Sequence, residues 1–285
     1  MRSLAARRRF DRFIVGAMIT AVLVAVVPLL FILVDVVIKG VGDLSASFLT
    51  QQEPFAVTAS GGGFGAGVRG TIKMVTLGTV VSVPIGVLAA IYLNEYQSRG
   101  PLATSVRFFA DVMTGIPSIF VGIFVFTAVV LATHSFSSWA GGLALGILML
   151  PIIVRTSEEA LRLVPPTLRE ASLALGVRRW RTIMSVILPT ALPGITTGAL
   201  LAVARAAGET APLLLTAFGN QLITGWGQWN GPEAALTLEI FYDSRSPFAA
   251  QQARAWTGAL VLIAGILILS IIARTVVARR ARLNN

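Results

Sequence analysis

The sequence contains no cysteine and a single histidine among its 285 residues. The missing thiols exclude disulfides, a thiolate nucleophile and cysteine-ligated metals. His134 lies in a short uncharged segment, and because a histidine ligand needs polar neighbours, we interpret it as a solvent or headgroup contact. The glycine run at 61–63 lacks the lysine of a phosphate loop, and no Ser/His/Asp grouping occurs. The sequence therefore carries no catalytic constellation of these kinds.

Charge is also scarce, since charged residues make up 13% of the chain and hydrophobic residues 55%. The mean hydropathy is +0.80. This composition is typical of an integral membrane protein. The net charge of +10 is compatible with a nucleic-acid partner. However, most basic residues lie in short segments beside apolar runs, where they set membrane topology instead.

Six apolar runs are long enough to cross a bilayer as helices, which takes about 20 residues each. The predicted spans are residues 13–38, 71–94, 108–132, 139–156, 190–218 and 256–277. The remaining predicted segments are a basic tail at 1–12, an outer loop at 39–68, a basic loop at 157–189, an outer loop at 219–255 and a tail at 278–285. The first run is longer than a signal-peptide core and has no obvious cleavage site, so we expect a retained helix. The predicted fold class is an all-α integral membrane protein with six transmembrane helices.

The basic residues predict how these spans are oriented. Seventeen of the 23 Lys and Arg residues fall in the two tails and in the two connections that six spans place on the same side. Five fall on the other side, and Arg205 is the remaining one. Because cytoplasmic segments are enriched in Lys and Arg, we expect both termini and the basic loop to be cytoplasmic.

The basic loop contains a short predicted helix over residues 168–175. Two prolines at 165–166 end the preceding span, and Thr167 with Glu170 matches a T-x-x-E capping box. Ala171 and Ala174 are three residues apart and share one face. Gly176 supplies the left-handed position that ends such a helix. In a membrane protein this helix must lie at the surface, where a partner can bind it.

Arg205 stands near the middle of the fifth predicted span, where an arginine is costly. Glu209 follows four residues later on the same predicted helical face. One interpretation is a buried ion pair that fixes helix packing. The other is an anion pathway, because a guanidinium offers a planar fork of donors that matches phosphate oxygens while the carboxylate holds it. The residues alone favour neither.

Four other charged residues near the span ends have simpler interpretations. Arg155 is a second pathway candidate, although snorkelling to the cytoplasmic surface explains it as well. Lys73 and Arg69, at the outer end of the second span, are interpreted mainly as interface anchors. Asp111, about one turn inside the third span, is interpreted as a carboxylate stabilised by a helix N-terminus.

The basic loop resembles the EAA signature of bacterial ABC-importer permeases, E-A-A-x3-G-x9-I-x-L-P. The matching residues are Glu170-Ala171-Ser172, Gly176 and Val186-Ile187-Leu188-Pro189, with Ser172 and Val186 as the two departures. The resemblance implies the type I importer permease (MetI-like) fold, with a permease core at 69–277. It also implies that Glu170, Ala171, Ala174 and Gly176 belong to a coupling helix that docks in a separate ATPase subunit.

A second segment resembles the R-A-x-G-E-T-A-P sequence of phosphate-specific permeases, here Arg205-Ala206-Ala207-Gly208-Glu209-Thr210-Ala211-Pro212. The segments Gly115–Gly122 and Leu168–Ala171 are similar to that family too, and the six-span length favours the PstA type. The resemblance implies a substrate pathway that includes Arg205, Glu209 and Thr210. Arg155 remains the second pathway candidate, on its charge and position alone. It further implies a PstC-type permease subunit, a PstB-type ATPase dimer and a PstS-type phosphate-binding protein as partners.

The resulting hypothesis is a non-enzymatic permease subunit of an ATP-driven phosphate importer in the bacterial inner membrane. No cofactor or metal is expected on this chain, because ATP and Mg²⁺ would bind the partner ATPase. One alternative is an ABC permease for another oxyanion such as sulfate or molybdate. Alternatives of a different class are an ion-gradient transporter or channel, and a membrane scaffold without transport.

Overall fold

The computed structural model describes residues 4–97 and 100–283, and describes side chains at 10–97 and 100–275. Arg2 and Arg99, which entered the charge argument, lie outside the described residues. The helices are α1 (Leu4–Gly40), α2 (Gly65–Ile91), α3 (Pro101–Gly115), α4 (Ser118–Val125), α5 (Leu131–Thr133), α6 (Ser138–Arg162), α7 (Pro166–Ala174), α8 (Arg179–Thr182), α9 (Leu188–Ala207), α10 (Ala211–Thr216), α11 (Leu236–Ser244) and α12 (Ala249–Leu283). Among the described residues there are also three π-helical turns. The first, Tyr92–Tyr96, extends α2; the second, Phe126–Val130, joins α4 to α5; and the third, Ile183–Ile187, joins α8 to α9.

Five described helical segments are long and apolar enough to cross a membrane. They are Phe10–Gly40, Gly65–Tyr96, Ser138–Arg162, Arg179–Ala207 and Ala249–Thr275. A sixth span results if Pro101–Gly115 and Ser118–Thr133 are counted together. The predicted all-α membrane fold is confirmed.

The third predicted span is not one continuous helix. α3 ends at Gly115, and Ser118–Thr133 leaves it at an angle of 107°. Ile116 is extended because it precedes Pro117, whose ring disfavours the helical conformation of the residue before it. The prediction of one continuous helix at 108–132 is therefore wrong. The predicted position of Asp111 near a helix N-terminus is wrong as well, since α3 begins at Pro101.

The fifth predicted span, 190–218, also differs from the structure. Its helix begins earlier, since the spanning segment starts at Arg179, and it ends at Ala207. A separate short helix, α10, follows at Ala211. Gly208 is a poor helix former, and Pro212 favours the first turn of a new helix. The chain therefore breaks between these two residues, and this break controls the position of the candidate pathway residues.

The centre of the bundle is formed by α2, α6 and α9, which approach each other at small residues. A Cβ added to Gly78 on α2 would lie 3.0 Å from the backbone nitrogen of Gly146 on α6. A side chain at Gly198 on α9 would collide with Thr156 on α6. Close backbone packing of this kind holds membrane helices together where apolar burial gives little driving force. The cluster around it includes Met74, Leu145, Met149, Ile153, Ala202, Ala206 and Leu213.

α1 lies at the side of this bundle, and most of its described apolar side chains are exposed. It contacts α12 at its end, where the Thr257 hydroxyl donates to the Gly40 carbonyl at 2.9 Å. Exposed leucine, valine and phenylalanine on a long helix are typical of a surface in contact with lipid. The bundle has two ends that differ in the elements they contain. The basic end contains α7, α8 and the π-helical turn Tyr92–Tyr96, and the opposite end contains α11 and the loop segments before α2 and α11.

Candidate functional site

The predicted coupling helix is α7, at the basic end. It begins at Pro166 with Pro165 as the N-cap, and no side chain caps it. The predicted Thr167–Glu170 capping box is therefore wrong, because proline occupies the first helical position and starts the helix two residues earlier than Thr167 allows. Gly176 has the left-handed φ of +73° that its position predicts. Its N–H donates to the Leu173 carbonyl at 2.9 Å, which closes the helix.

One side of α7 is held against the protein and the other is free. The Ser172 hydroxyl is buried and lies 2.9 Å from the Thr182 hydroxyl on α8. Pro166 and Thr167 at the start of α7 are exposed, and so are Leu168, Glu170, Ala171, Leu173 and Ala174 along it and Leu175 and Gly176 directly after it. Leu175 has 84% of its surface accessible, which is unusual for leucine in a charged loop. The structure thus presents all four predicted coupling residues, Glu170, Ala171, Ala174 and Gly176, on an exposed surface.

Arg169 anchors the inner side of α7, and sequence reasoning missed this role. Its guanidinium donates to Glu95 in the π-helical turn after α2, at 3.1 Å from Nε and 2.9 Å from a terminal nitrogen. It also donates to the carbonyls of Leu161 and Val164, at 2.8 and 2.6 Å. Glu95 is 74 residues away in sequence, so no local spacing indicates the pair.

Arg155 lies in a separate cluster of charges formed by α3 and α6. Its Nε donates to Asp111 at 2.8 Å, and a terminal nitrogen donates to the Arg107 carbonyl at 3.2 Å. The carboxylate of Glu158, which is 1% exposed, forms ion pairs with Arg107, Arg155 and Arg162. Arg155 is therefore held by two carboxylates, and it does not simply extend to the membrane surface.

The other three predicted pathway residues meet at the break between α9 and α10. Arg205 occupies the last turn of α9, near the opposite end, so the expectation that it lies mid-span is wrong. Its Nε lies 3.6 Å from the Glu209 carboxylate, with side-chain exposures of 55% and 14%. Thr210 is the N-cap of α10 and makes no side-chain capping bond. The ion pair thus exists, but Arg205 projects to the exposed surface and is not sealed in the core.

Lys73 is buried at the opposite end, and its interpretation as an interface anchor is wrong. It forms an ion pair with Glu233, and both side chains are about 2% exposed or less. Lys73 also donates to the Gln228 carbonyl at 2.6 Å, and the Ser138 hydroxyl donates to Glu233 at 2.7 Å. This contact fastens the loop before α11 to α2 and α6. The partner is 160 residues along the chain, beyond any sequence pattern.

Carboxylates dominate the rest of the opposite end. Glu239 of α11 accepts a bond from the Gly67 N–H at 3.1 Å, and so caps α2, whose own N-cap residue gives no side-chain bond. Glu239, Glu53 and Asp243 line a cavity of about 320 Å³. Asp243 pairs with buried Arg254 at 3.2 Å. Burial and the neighbouring Asp243 carboxylate raise the pKa of Glu53 to about 7. Burial and Glu53 likewise raise the pKa of Glu239 well above its ordinary value.

Comparison with known families agrees with this geometry. The chain matches the model of the binding-protein-dependent transport system inner membrane component over residues 82–282, more than half its length. This family model describes permeases that span the inner membrane and serve a binding protein. The chain therefore belongs to this family, and it is a multi-pass inner membrane permease subunit.

The chain is also similar to individual permeases over almost its whole length. It is 41% identical to the phosphate transport system permease protein PstA of Yersinia pestis, covering 96% of this chain and 92% of that protein. It is 40% identical to PstA of Haemophilus influenzae, with 94% of each covered. It is 37% identical to PstA 1 of Mycobacterium tuberculosis, with 99% and 93% covered. These relatives place the chain in the PstA group of the family.

Solved structures share the fold at lower identity. A bacterial alginate ABC transporter, in complex with a periplasmic protein, aligns with a TM-score of 0.63 and 14% identity, covering 95% of this chain and 96% of that one. The MetNI methionine ABC transporter aligns with a TM-score of 0.55 and 21% identity, covering 78% and 97%. These likenesses confirm the predicted ABC-importer permease fold.

Proposed function

We propose that this chain is one of two permease subunits of an ATP-driven importer of inorganic phosphate. The observation that carries the proposal is its similarity, over almost its full length, to the PstA phosphate transport permeases. The segment Arg205–Thr210 supports it chemically, since a guanidinium with a nearby carboxylate lies at an exposed helix break.

In this proposal Arg205 receives the oxyanion. A guanidinium binds phosphate oxygens through a planar fork, and it stays charged at any physiological pH. Glu209 holds the guanidinium while no anion is present, and its long Nε to oxygen distance of 3.6 Å leaves donor positions open. Thr210 adds a hydroxyl beside them. Arg155, held by Asp111 and Glu158 at the basic end, would attract the anion after it has crossed.

Energy would enter through α7. A separate ATPase subunit would bind the exposed residues of α7, with Glu170 as the charged contact and the alanine face as the packing surface. The loop after α7 continues through α8 and the turn Ile183–Ile187 into α9 without a further break. A displacement of α7 would therefore reach the helix that ends at Arg205.

The orientation and the partners follow from the same proposal. The excess of arginine at the basic end supports a cytoplasmic location for α7 and both termini, because cytoplasmic segments are enriched in Lys and Arg. ATP and Mg²⁺ would bind a PstB-type ATPase dimer, and this chain would bind no cofactor. A PstC-type permease would complete the pathway, and a PstS-type binding protein would deliver phosphate to the opposite end.

Transport by a purified complex tests the function and the substrate together. Proteoliposomes that contain both permeases, with the ATPase and ATP inside and the binding protein outside, should accumulate labelled phosphate. An excess of unlabelled phosphate should compete, and sulfate or molybdate should not. Competition by sulfate or molybdate would favour a different oxyanion, and uptake that persists with an inactive ATPase would favour an ion-gradient transporter.

A further inference from the structure

The π-helical turn Tyr92–Tyr96 at the basic end of α2 contains a buried carboxylate that the pathway does not use. Glu95 is 6% exposed, although it lies at the end of a spanning helix where solvent is near. Asn94 donates to Glu95 at 2.7 Å, and its charged partner is Arg169 of the coupling helix. π-Helical turns inside helices occur frequently at functional positions, because the extra residue loosens the regular bonding there.

Arg169 joins three elements at one point. Its Nε and one terminal nitrogen donate to Glu95. The same terminal nitrogen also donates to the Leu161 carbonyl, and the other terminal nitrogen donates to the Val164 carbonyl, where α6 ends. A guanidinium bound on several sides has a fixed orientation, unlike a surface lysine on a flexible chain. A shift of α7 therefore cannot leave Glu95 in place without breaking these bonds.

A second contact runs parallel to this one. The guanidinium of Arg179, at the start of α8, lies 5.2 Å from the ring centroid of Tyr96. Both segments of the basic loop thus contact the same π-helical turn. Since Tyr96 is half exposed, this contact is the weaker of the two.

α2 connects this turn to the opposite end of the protein. Its 27 helical residues span about 40 Å at the usual helical rise. It packs against α6 at Gly78, and near its other end Gly67 and Lys73 contact Glu239 and Glu233. These contacts hold α11 and the loop before it to α2. A displacement of α2 at the basic end therefore strains its contacts with Glu239 and Glu233 at the opposite end.

We propose that the Glu95–Arg169 pair transmits the movement of the coupling helix to α2, in addition to the covalent route through α8 and α9. The inference rests on the proposed function, since it assumes that an ATPase moves α7. Glu95 and Arg169 act as positioning residues: they contact neither phosphate nor ATP. Through α2 they link the state of the ATPase to α11 and the loop before it, which would face the binding protein.

Glu95→Gln tests the link in the reconstituted complex, with phosphate uptake and ATP hydrolysis measured in the same vesicles. We expect hydrolysis stimulated by the binding protein to stay within about twofold, while phosphate transported per ATP falls about tenfold. Arg169→Lys, which keeps the charge and loses the fork, should give an intermediate ratio. Asp35→Asn, which removes the exposed Lys39–Asp35 pair, is the matched control and should leave the ratio unchanged.

A covalent bridge between positions 95 and 169 tests whether this contact transmits the movement of α7 or only supports the fold. The chain has no cysteine, so Glu95→Cys with Arg169→Cys introduces the only thiols in this subunit. The reduced double variant should be uncoupled, and joining the thiols with a short bifunctional maleimide should restore phosphate transported per ATP.

Three results would overturn the proposal. The first is that uptake and hydrolysis fall in equal proportion. The second is that uptake stays normal in Glu95→Gln. The third is that both Glu95→Gln and Arg169→Lys fail to assemble with the ATPase. The first and third would make the pair a support for ATPase docking. Absence of phosphate uptake in the unmodified complex and in Asp35→Asn would instead contradict the function proposed above.

Discussion

The two ends of the bundle use opposite charge balances. At the basic end, one buried carboxylate, Glu158, meets three arginines, and the carboxylate of Glu95 is bound by Arg169. At the opposite end, Glu53, Glu239 and Asp243 line one cavity, and Asp243 pairs with the buried Arg254. The arginine-rich end can bind acidic or phosphorylated partners, whereas at the opposite end burial raises the pKa values of Glu53, Glu239 and Asp243 above their ordinary values. We therefore expect substitutions at the basic end to act on coupling and those at the opposite end on stability, with Arg205 as the exception.

The largest expected effect is at Arg205, which lies toward the opposite end but acts on transport. Arg205→Gln should abolish phosphate uptake while the complex still assembles, because the anion loses its only guanidinium at the α9–α10 break. Labelled phosphate uptake and size-exclusion chromatography measure the two properties. Arg245→Gln, at an exposed arginine of the same end, is the control.

The competing interpretation, a pair that only fixes packing, gives a different pattern. In that case the double variant Arg205→Gln with Glu209→Gln would recover uptake, since no unpaired charge would remain. A double variant that stays inactive with normal thermal stability supports the anion pathway.

The next effect is on stability, at the Lys73–Glu233 pair. Lys73→Met leaves a buried, uncompensated carboxylate and should lower the free energy of unfolding by about 3–5 kcal/mol. Thermal unfolding of the purified complex measures the change. The double variant Lys73→Met with Glu233→Gln should recover part of it. Lys39→Met removes an exposed pair and should cost about 0–1 kcal/mol. Equal effects of the two single variants would contradict the burial argument.

A smaller effect on docking is expected at the basic end. Glu170→Lys reverses a charge on the exposed face of α7 and should weaken ATPase binding about tenfold, which corresponds to 1.4 kcal/mol. Co-purification of the ATPase at several salt concentrations measures it. Glu159→Lys introduces the same charge change at an exposed position of α6 and should leave co-purification unchanged. If both variants lose the ATPase, net charge explains the result better than a specific contact.

The smallest effect is a pH dependence at Glu53. Its folded-state pKa of about 7 lies above the ordinary value of 4.5, so the folded protein binds this proton more tightly than the unfolded chain. The associated stability is fully present below about pH 4.5 and is lost as the pH rises through 7. Between pH 6 and pH 8 the melting temperature should therefore fall, and Glu53→Gln should reduce that fall. Asp43→Asn, at an exposed carboxylate, should not.

Sequence reasoning succeeded where the physical cause is local or cumulative. The apolar runs predict a six-span fold because crossing a bilayer requires length and hydrophobicity. Gly176 is predicted because a left-handed residue at a helix end needs no knowledge of the rest of the chain. The pairing of Arg205 with Glu209 survives the break in the helix, since the two residues are only four positions apart.

It failed where two local rules compete or where the partner is distant. The predicted N-cap at Thr167 does not form, because Pro166 occupies the first helical position and α7 begins before Thr167. The third and fifth spans are predicted as continuous helices because the apolar pattern does not register the breaks that Pro117 and Gly208 cause in the backbone. Lys73 and Arg169 find their carboxylates far along the chain, so only the packed structure identifies them as buried pairs.

The central claim, that this chain links a separate ATPase to phosphate transport, is tested most directly by ATP hydrolysis in the fully reconstituted complex. Hydrolysis should rise when the phosphate-loaded binding protein is added, and it should rise less with the unloaded protein or with sulfate. Arg205→Gln should retain the ATPase in the complex without uptake of phosphate. If the rate of ATP hydrolysis does not depend on phosphate, and the Arg205→Gln complex takes up phosphate normally, the account is contradicted.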